Sequence, residues 1–224
     1  MGVITVSRQQ GSGATEIMTR VCDILGYRYF DKRLMMEAMS REGFTNETLI
    51  DYREDEYRLR GFVDHLLGYR RPRTIADQGF WDSNPDAMKS TAVAVLDEHV
   101  AVWLVREAIQ RAYAQGDIVI GGRGGQAILR DKPGVLHVRL EASMDVRMQR
   151  VTERGVVPAK QARQFLFDRD KASAEYLQRF YGVNWSDPML YHLVINTDKW
   201  GIEGAAQAIV SAVACLEKVV PVTA

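Results

Sequence analysis

Residues 7–15 read Ser-Arg-Gln-Gln-Gly-Ser-Gly-Ala-Thr, a spacing suited to holding an anion with backbone amides. A phosphate needs several N–H donors aimed at one point, and bulky side chains would stop the chain from wrapping it. Gly11 and Gly13 permit that curl. A helix starting near Ala14 then adds unpaired N–H groups and the positive end of its dipole. Arg8 stands at the entrance to the loop. Its guanidinium either brings positive charge to the bound phosphates or pairs with a surface carboxylate, and the residues alone leave both readings open.

Compared with the phosphate-loop signature G-x-x-x-x-G-K-[ST], the stretch carries Arg8 in place of the first Gly and Ala14 in place of the Lys. Thr15 holds the position of the hydroxyl that binds Mg²⁺. The signature Lys follows the β- and γ-phosphates, so its loss without a substitute removes several kcal/mol of transition-state stabilisation. More cations come later in the chain. Arg147, Arg150 and Arg154 recur at i, i+3 and i+7 and share one helical face, while Met144, Met148 and Val151 cover another. Arg163 and Arg169 extend the set, and Asp170 can orient one of them. The alternative is a solvated face paired with Asp145, Glu153 or Asp168. Arg123, between glycines at a strand end, suits a guanidinium aimed into a cleft or one paired with a neighbouring loop. Asp31 closes a short strand. There it can accept a bond from a ligand or hold Mg²⁺ through water, or it can cap a helix starting at Lys32.

These residues need a scaffold, and the apolar pattern supplies one. Five short runs read as buried strands: 3–7, 27–30, 118–120, 135–140 and 193–195. Helical periodicity lies between them. Ile17, Val21, Ile24 and Leu25 precede a stop at Gly26, and Leu96 to Ala108 lead to Gly116. Ser143 is a candidate N-cap, and Ile202, Ile209, Val213 and Leu216 share a face. Alternating strands and helices predict an α/β fold with a mostly parallel sheet covered on both sides. Two charged segments, 31–90 and 155–190, interrupt the alternation. The first is expected to be a small helical insertion and the second a charged helix from near Pro158.

Lys+Arg and Asp+Glu number 29 each, so no global field recruits a nucleic acid polymer or an anionic membrane. No apolar run approaches the roughly 20 residues of a membrane span, and the cytoplasm is the expected compartment. The two cysteines, Cys22 and Cys215, fall on helical stretches as expected buried thiols, and the four histidines are scattered. Nothing in the sequence sets an oligomeric state.

Read together, several motifs resemble the cytidylate kinase-like family of P-loop proteins. They are Ile4-Thr5-Val6-Ser7-Arg8 with Gly11-Ser12-Gly13, Tyr29-Phe30-Asp31-Lys32, and Ile118-Val119-Ile120-Gly121-Gly122-Arg123-Gly124. Val135-Leu136-His137-Val138 and Leu193-Val194-Ile195-Asn196-Thr197 complete the set. The resemblance implies a single P-loop domain over 1–224, with a three-layer core around a five-stranded parallel sheet. It also implies a helical acceptor-binding insertion at 31–90 and an Arg-rich lid at 150–185. The activity it implies is transfer of the ATP γ-phosphate to a nucleoside monophosphate such as CMP, with ATP and Mg²⁺ as cofactors. Gly11, Ser12, Gly13, Ala14 and Thr15 would cradle the ATP phosphates, and Arg8, Thr15, Arg150 and Arg154 would act in the transfer. Asp31, Arg123, Arg147, Arg163 and Arg169 would hold the acceptor and the phosphates. Family members commonly lack the loop Lys and carry an Arg where Arg8 stands. Gly121 and Gly124 depart from the acidic residues that cytidylate kinases carry at those places. A non-catalytic nucleotide-binding module, or a kinase for another small molecule, is the alternative. Gly13→Val is expected to abolish nucleotide binding and leave the fold largely intact.

Overall fold

The computed structural model describes residues 2–30 and 98–216. Five strands, β1 (Val3–Arg8), β2 (Arg28–Tyr29), β3 (Ile118–Gly121), β4 (Val135–Glu141) and β5 (Leu193–Asn196), form one sheet in the order β2-β3-β1-β4-β5. Every pairing is parallel, with Val3 opposite both Ile118 and Val135, and Leu140 opposite Ile195. This is the α/β fold expected from the alternation of strands and helices. Because the strands run one way, the loops leaving β1, β3 and β4 gather at one edge of the sheet, where ligands of such folds bind.

Period-two side-chain alternation divides the core. Ile4, Val6, Leu136, Val138 and Leu140 face α1 (Ala14–Leu25) and α6 (Thr197–Leu216), whose Ile17, Val21, Ile209 and Val213 cover them. On the opposite face, Val3, Ile118, Ile120 and Val135 pack under α2 (Glu98–Gln115) through Leu104, Val105, Ala108 and Ile109. Each fully buried side chain of this size contributes roughly 1.5–3 kcal/mol relative to exposure. The short α3 (Gly125–Ile128) covers the same face near the loops. Helix α4 (Met144–Glu153) begins at Ser143, whose hydroxyl accepts from Val146 N, and it packs on α5 (Ala159–Tyr181) through Val151, Ala162 and Leu166. Gly26 ends α1 in a left-handed conformation, φ 68°.

The cysteines depart from expectation. Cys22 is half-buried, and burial together with nearby Asp23 pushes its thiol pKa up to about 11. Cys215 is exposed on α6: helical periodicity places it on the helix but not on its inner face. No described helix is long and apolar enough to cross a membrane.

Candidate active site

The β1–α1 loop folds back under its own hydrogen bonds. Gln9 N donates to Leu140 O (3.0 Å), which ends the β1 ladder, and Ser12 N donates to Gln9 O (3.2 Å). Gly13 then caps α1 at φ 82° and ψ 17°, a conformation that a residue with a Cβ adopts only under strain. Among the described residues, no acceptor is bonded to the N–H groups of Gly11, Gly13, Ala14 or Thr15. Gly13, Ala14 and Thr15 stand at the N-terminus of α1, where unpaired N–H groups suit an anion, and Gly11 precedes them in the loop. The Ser12 hydroxyl is buried without a partner inside this turn. A buried hydroxyl left unpaired is costly, and a phosphate oxygen would satisfy it. Thr15 lies exposed on the first turn of α1.

Arg8, the last residue of β1, turns toward β3. Its Nη1 lies 2.7 Å from where a Cβ on Gly122 would stand. Burial lowers its pKa from the ordinary arginine value, opposed by the nearby Tyr29 hydroxyl. Although the residue keeps partial exposure, no carboxylate pairs with it among the described residues. Of the two readings open from sequence, the surface ion pair is not found there. Arg123 follows on the same β3–α3 turn at φ 56°, its Cζ 5.7 Å from the Phe30 ring centroid. A non-glycine residue held at positive φ is strained, and such strain concentrates at functional sites. The spaces that side chains at Gly121 and Gly124 would fill are taken. At Gly121 the Tyr29 hydroxyl and Met18 sulfur lie 3.0 Å from a Cβ position, and at Gly124 the Tyr181 ring lies 2.7 Å away. The places where acids are expected from the resemblance are thus filled by Met18 and Tyr29 at Gly121 and by Tyr181 at Gly124.

The three arginines of α4 share one face, and that face meets the loop. Arg150 Nη1 donates to Thr197 Oγ1 (2.9 Å), which itself donates to Ser12 O (2.8 Å). Arg154 pairs with Glu16 of α1. Arg147 is buried, 5% exposed, and bonds Asp170 and the carbonyl of Gln10. Their partners are not the Asp145, Glu153 and Asp168 of the solvated-face alternative. Arg163 does lie near Asp145, at 4.0 Å with both side chains largely exposed, and Arg169 stacks over Phe165 at 5.3 Å. Asp31 and residues 31–90, where an acceptor-binding insertion is expected, lie outside the described residues. Among those described, no group of three His, Cys, Asp or Glu side chains is placed to hold a metal.

A second polar cluster, absent from the sequence reading, sits one strand away. Arg139 on β4 is buried, its Cζ 4.2 Å above the Trp185 ring, with Nε donating to Glu141 (2.6 Å) and Nη1 to Trp185 O (2.6 Å). Trp185 Nε1 donates to Ser7 Oγ (2.8 Å), and the Tyr191 hydroxyl donates to Trp185 O (2.8 Å). The segment after α5 is thereby pinned to β1 just before the loop. One signal could have found it: an arginine inside the apolar run of β4 must be paired if buried.

The sequence profile of the Cytidylate kinase-like family matches residues 3–199. The chain belongs to the cytidylate kinase-like family. Cytidylate kinases of Thermococcus sibiricus and Aeropyrum pernix are 26% and 24% identical to it, covering 94% and 88% of this chain and 87% and 91% of their own. An uncharacterized protein from Eubacterium ventriosum has a similar fold, with TM-score 0.60, 18% identity, and coverage of 96% of this chain and 99% of that one. A shikimate kinase from Bacteroides thetaiotaomicron matches at TM-score 0.50 and 15% identity, over 95% and 98% of the two chains. The cytidylate kinase-like chain gathers its loop, β3 turn and α4 arginines at the carboxyl edge of the sheet.

Proposed function

We propose that the protein transfers the γ-phosphoryl group of ATP to a nucleoside monophosphate, with CMP the first acceptor to test. The observation that carries this reading is the open nest of Gly11, Gly13, Ala14 and Thr15 amides around the unpaired Ser12 hydroxyl. It sits at the carboxyl edge of a parallel sheet in a cytidylate kinase-like chain.

In this reading the nest and Thr15 hold the ATP phosphates, and Arg8 supplies the charge that the loop Lys would otherwise bring. Mg²⁺, held through Thr15, would neutralise charge on the phosphate oxygens. Arg123 holds the acceptor phosphate against the β3 turn. An oxygen of that phosphate attacks the γ-phosphorus as the bond to the β–γ bridging oxygen breaks, and ADP leaves. The acceptor phosphate is already anionic, so the residues align and neutralise the groups without removing a proton. Arg150, beside Gly13, and Arg154 are near enough to the loop to balance charge in flight. Arg163 and Arg169 belong to the lid that closes over the phosphates, while Asp31 lies on the acceptor side.

The test is ADP formation with ATP and each nucleoside monophosphate in turn. No turnover with any of them at high enzyme concentration would rule the proposal out. Ala14 and the side-chain-free Gly121 and Gly124 favour a second reading, a nucleotide-binding module without catalysis. Calorimetry finding tight ATP or CMP binding in a chain that does not turn over would select it. Turnover with a different small hydroxylated acceptor would select a kinase for another small molecule.

A further inference from the structure

The backbone of Gln10 is held at its N–H and at its carbonyl by two residues from different helices. Its N–H donates to Asp170 Oδ1 of α5 (3.0 Å), and its carbonyl accepts from Arg147 Nη1 of α4 (3.3 Å). The two side chains close the ring, Arg147 Nη1 donating to Asp170 Oδ2 at 2.5 Å. Their exposures are only 6% and 18%. Arg147 also lines the loop through its backbone, its carbonyl lying 3.1 Å from where a Cβ on Gly11 would stand.

We propose that Arg147 and Asp170 are positioning residues of the phosphate-binding loop, not phosphate ligands. They fix the Gln10 backbone on both sides of its Cα so that the amides from Gly11 to Thr15 converge. This rests on the reading of that loop as the ATP phosphate site.

Three observations carry the inference. Arg147 cannot reach a bound phosphate without leaving a buried carboxylate unpaired. Removing two charges from water costs about as much as their attraction returns, so a buried pair is weakly explained by stability. What this pair does supply is direction: it fixes the backbone N–H and carbonyl of one residue, and so the two peptide planes flanking Gln10, at the point where β1 becomes the loop. Gln9 adds a neighbouring tie, its Oε1 accepting from Ala142 N at 3.1 Å. The loop is thereby referenced to α4 and α5, and the orientation of its amides depends on where those helices sit. The charge of Asp170 beside an anion site is tolerable only because Arg147 neutralises it.

The test uses tripolyphosphate as a probe of the loop, with affinity measured by calorimetry on folded protein. Arg147→Met and Asp170→Ala should each weaken binding by roughly tenfold. The double variant, which leaves no unpaired charge, should be no weaker than the worse single and serves if a single variant fails to fold. Asp170→Asn, which keeps an oxygen for the Gln10 N–H, should recover part of the loss. Amide exchange of Gln10 in the ligand-free protein should quicken in Asp170→Ala, a change that loss of phosphate contact alone would not produce. Unchanged affinity in the variants would overturn the proposal, as would additive losses in the double variant. Tighter binding by Asp170→Ala would make that carboxylate a competitor of phosphate and equally overturn it. A wild-type chain that binds no tripolyphosphate would instead remove the phosphate-site reading beneath it.

Discussion

The Arg8 guanidinium occupies the space that a side chain on Gly122 would need, Nη1 standing 2.7 Å from that Cβ position. β1 and β3 are sheet neighbours, with Val6 opposite Gly121, so the last residue of one strand locks under the turn that leaves the other. Gly122 N closes the same junction by donating to Val6 O at 2.9 Å. The cation at the entrance to the loop is thus seated by a glycine over a hundred residues away.

If Arg8 carries the charge of the absent Lys, Gly122→Ala should act through it. The new methyl group meets the guanidinium, and φ of 72° is unfavourable for alanine. The expected stability loss is about 1 kcal/mol, with a larger loss in kcat. Arg8→Ala should lower kcat by about 10²–10³, the range for removing one transition-state charge contact, and Arg8→Lys should restore part of it. Steady-state kinetics with ATP and CMP measures all three. Full activity in Arg8→Ala would end its assignment.

Gly13→Val is now expected to cost stability as well as binding, which corrects the expectation of an intact fold. Its φ is 82°, and a Cβ would lie 2.6 Å from the Ile202 Cδ1 atom. Strain of this kind costs on the order of 1–3 kcal/mol, so denaturant midpoints should fall along with loss of ATP binding. A variant as stable as wild type would contradict the geometry.

Arg123→Ala should raise the KM for the acceptor by about tenfold or more, the scale of one lost charge-assisted contact, and change the KM for ATP little. Its guanidinium lies over Phe30, at the turn that leaves β3. Equal losses for both substrates would show that it serves the whole cleft.

His137 gives a pH dependence of known sign. Its Nδ1 lies 2.7 Å from Thr5 Oγ1, and its ring stacks on His192 at 5.1 Å. Burial first, and the neighbouring His192 second, lower its pKa to about 4. Below about pH 6.5, the ordinary imidazole value, the unfolded chain takes up a proton that the native chain refuses. This contribution to stability is full above that pH and is lost as pH falls toward 4. It amounts to about 3 kcal/mol across that window. Urea denaturation at pH 7 and pH 5 should show the loss in wild type and a smaller one in His137→Gln. Equal slopes would mean that another group carries the effect.

Much of this was legible before any coordinates. Strand runs, the stop at Gly26, the cap at Ser143 and the Gly11–Gly13 loop follow from side-chain period and backbone permission, which are local properties. Spacing put Arg147, Arg150 and Arg154 on one face, but it could not name their partners. Gln10, Thr197 and Glu16 come from distant segments that only sheet order brings together. The Arg139–Trp185–Ser7 cluster was equally out of reach, because residues 139 and 185 meet across two elements and a turn.

The sequence by itself determined that five short strands and their helices would make an α/β chain with a glycine-rich turn after the first strand. Tertiary structure alone decided which arginines are buried struts and which are left facing the loop. The physical reason is that a charge takes its role from its partner and its exposure to water, and packing between distant elements sets both.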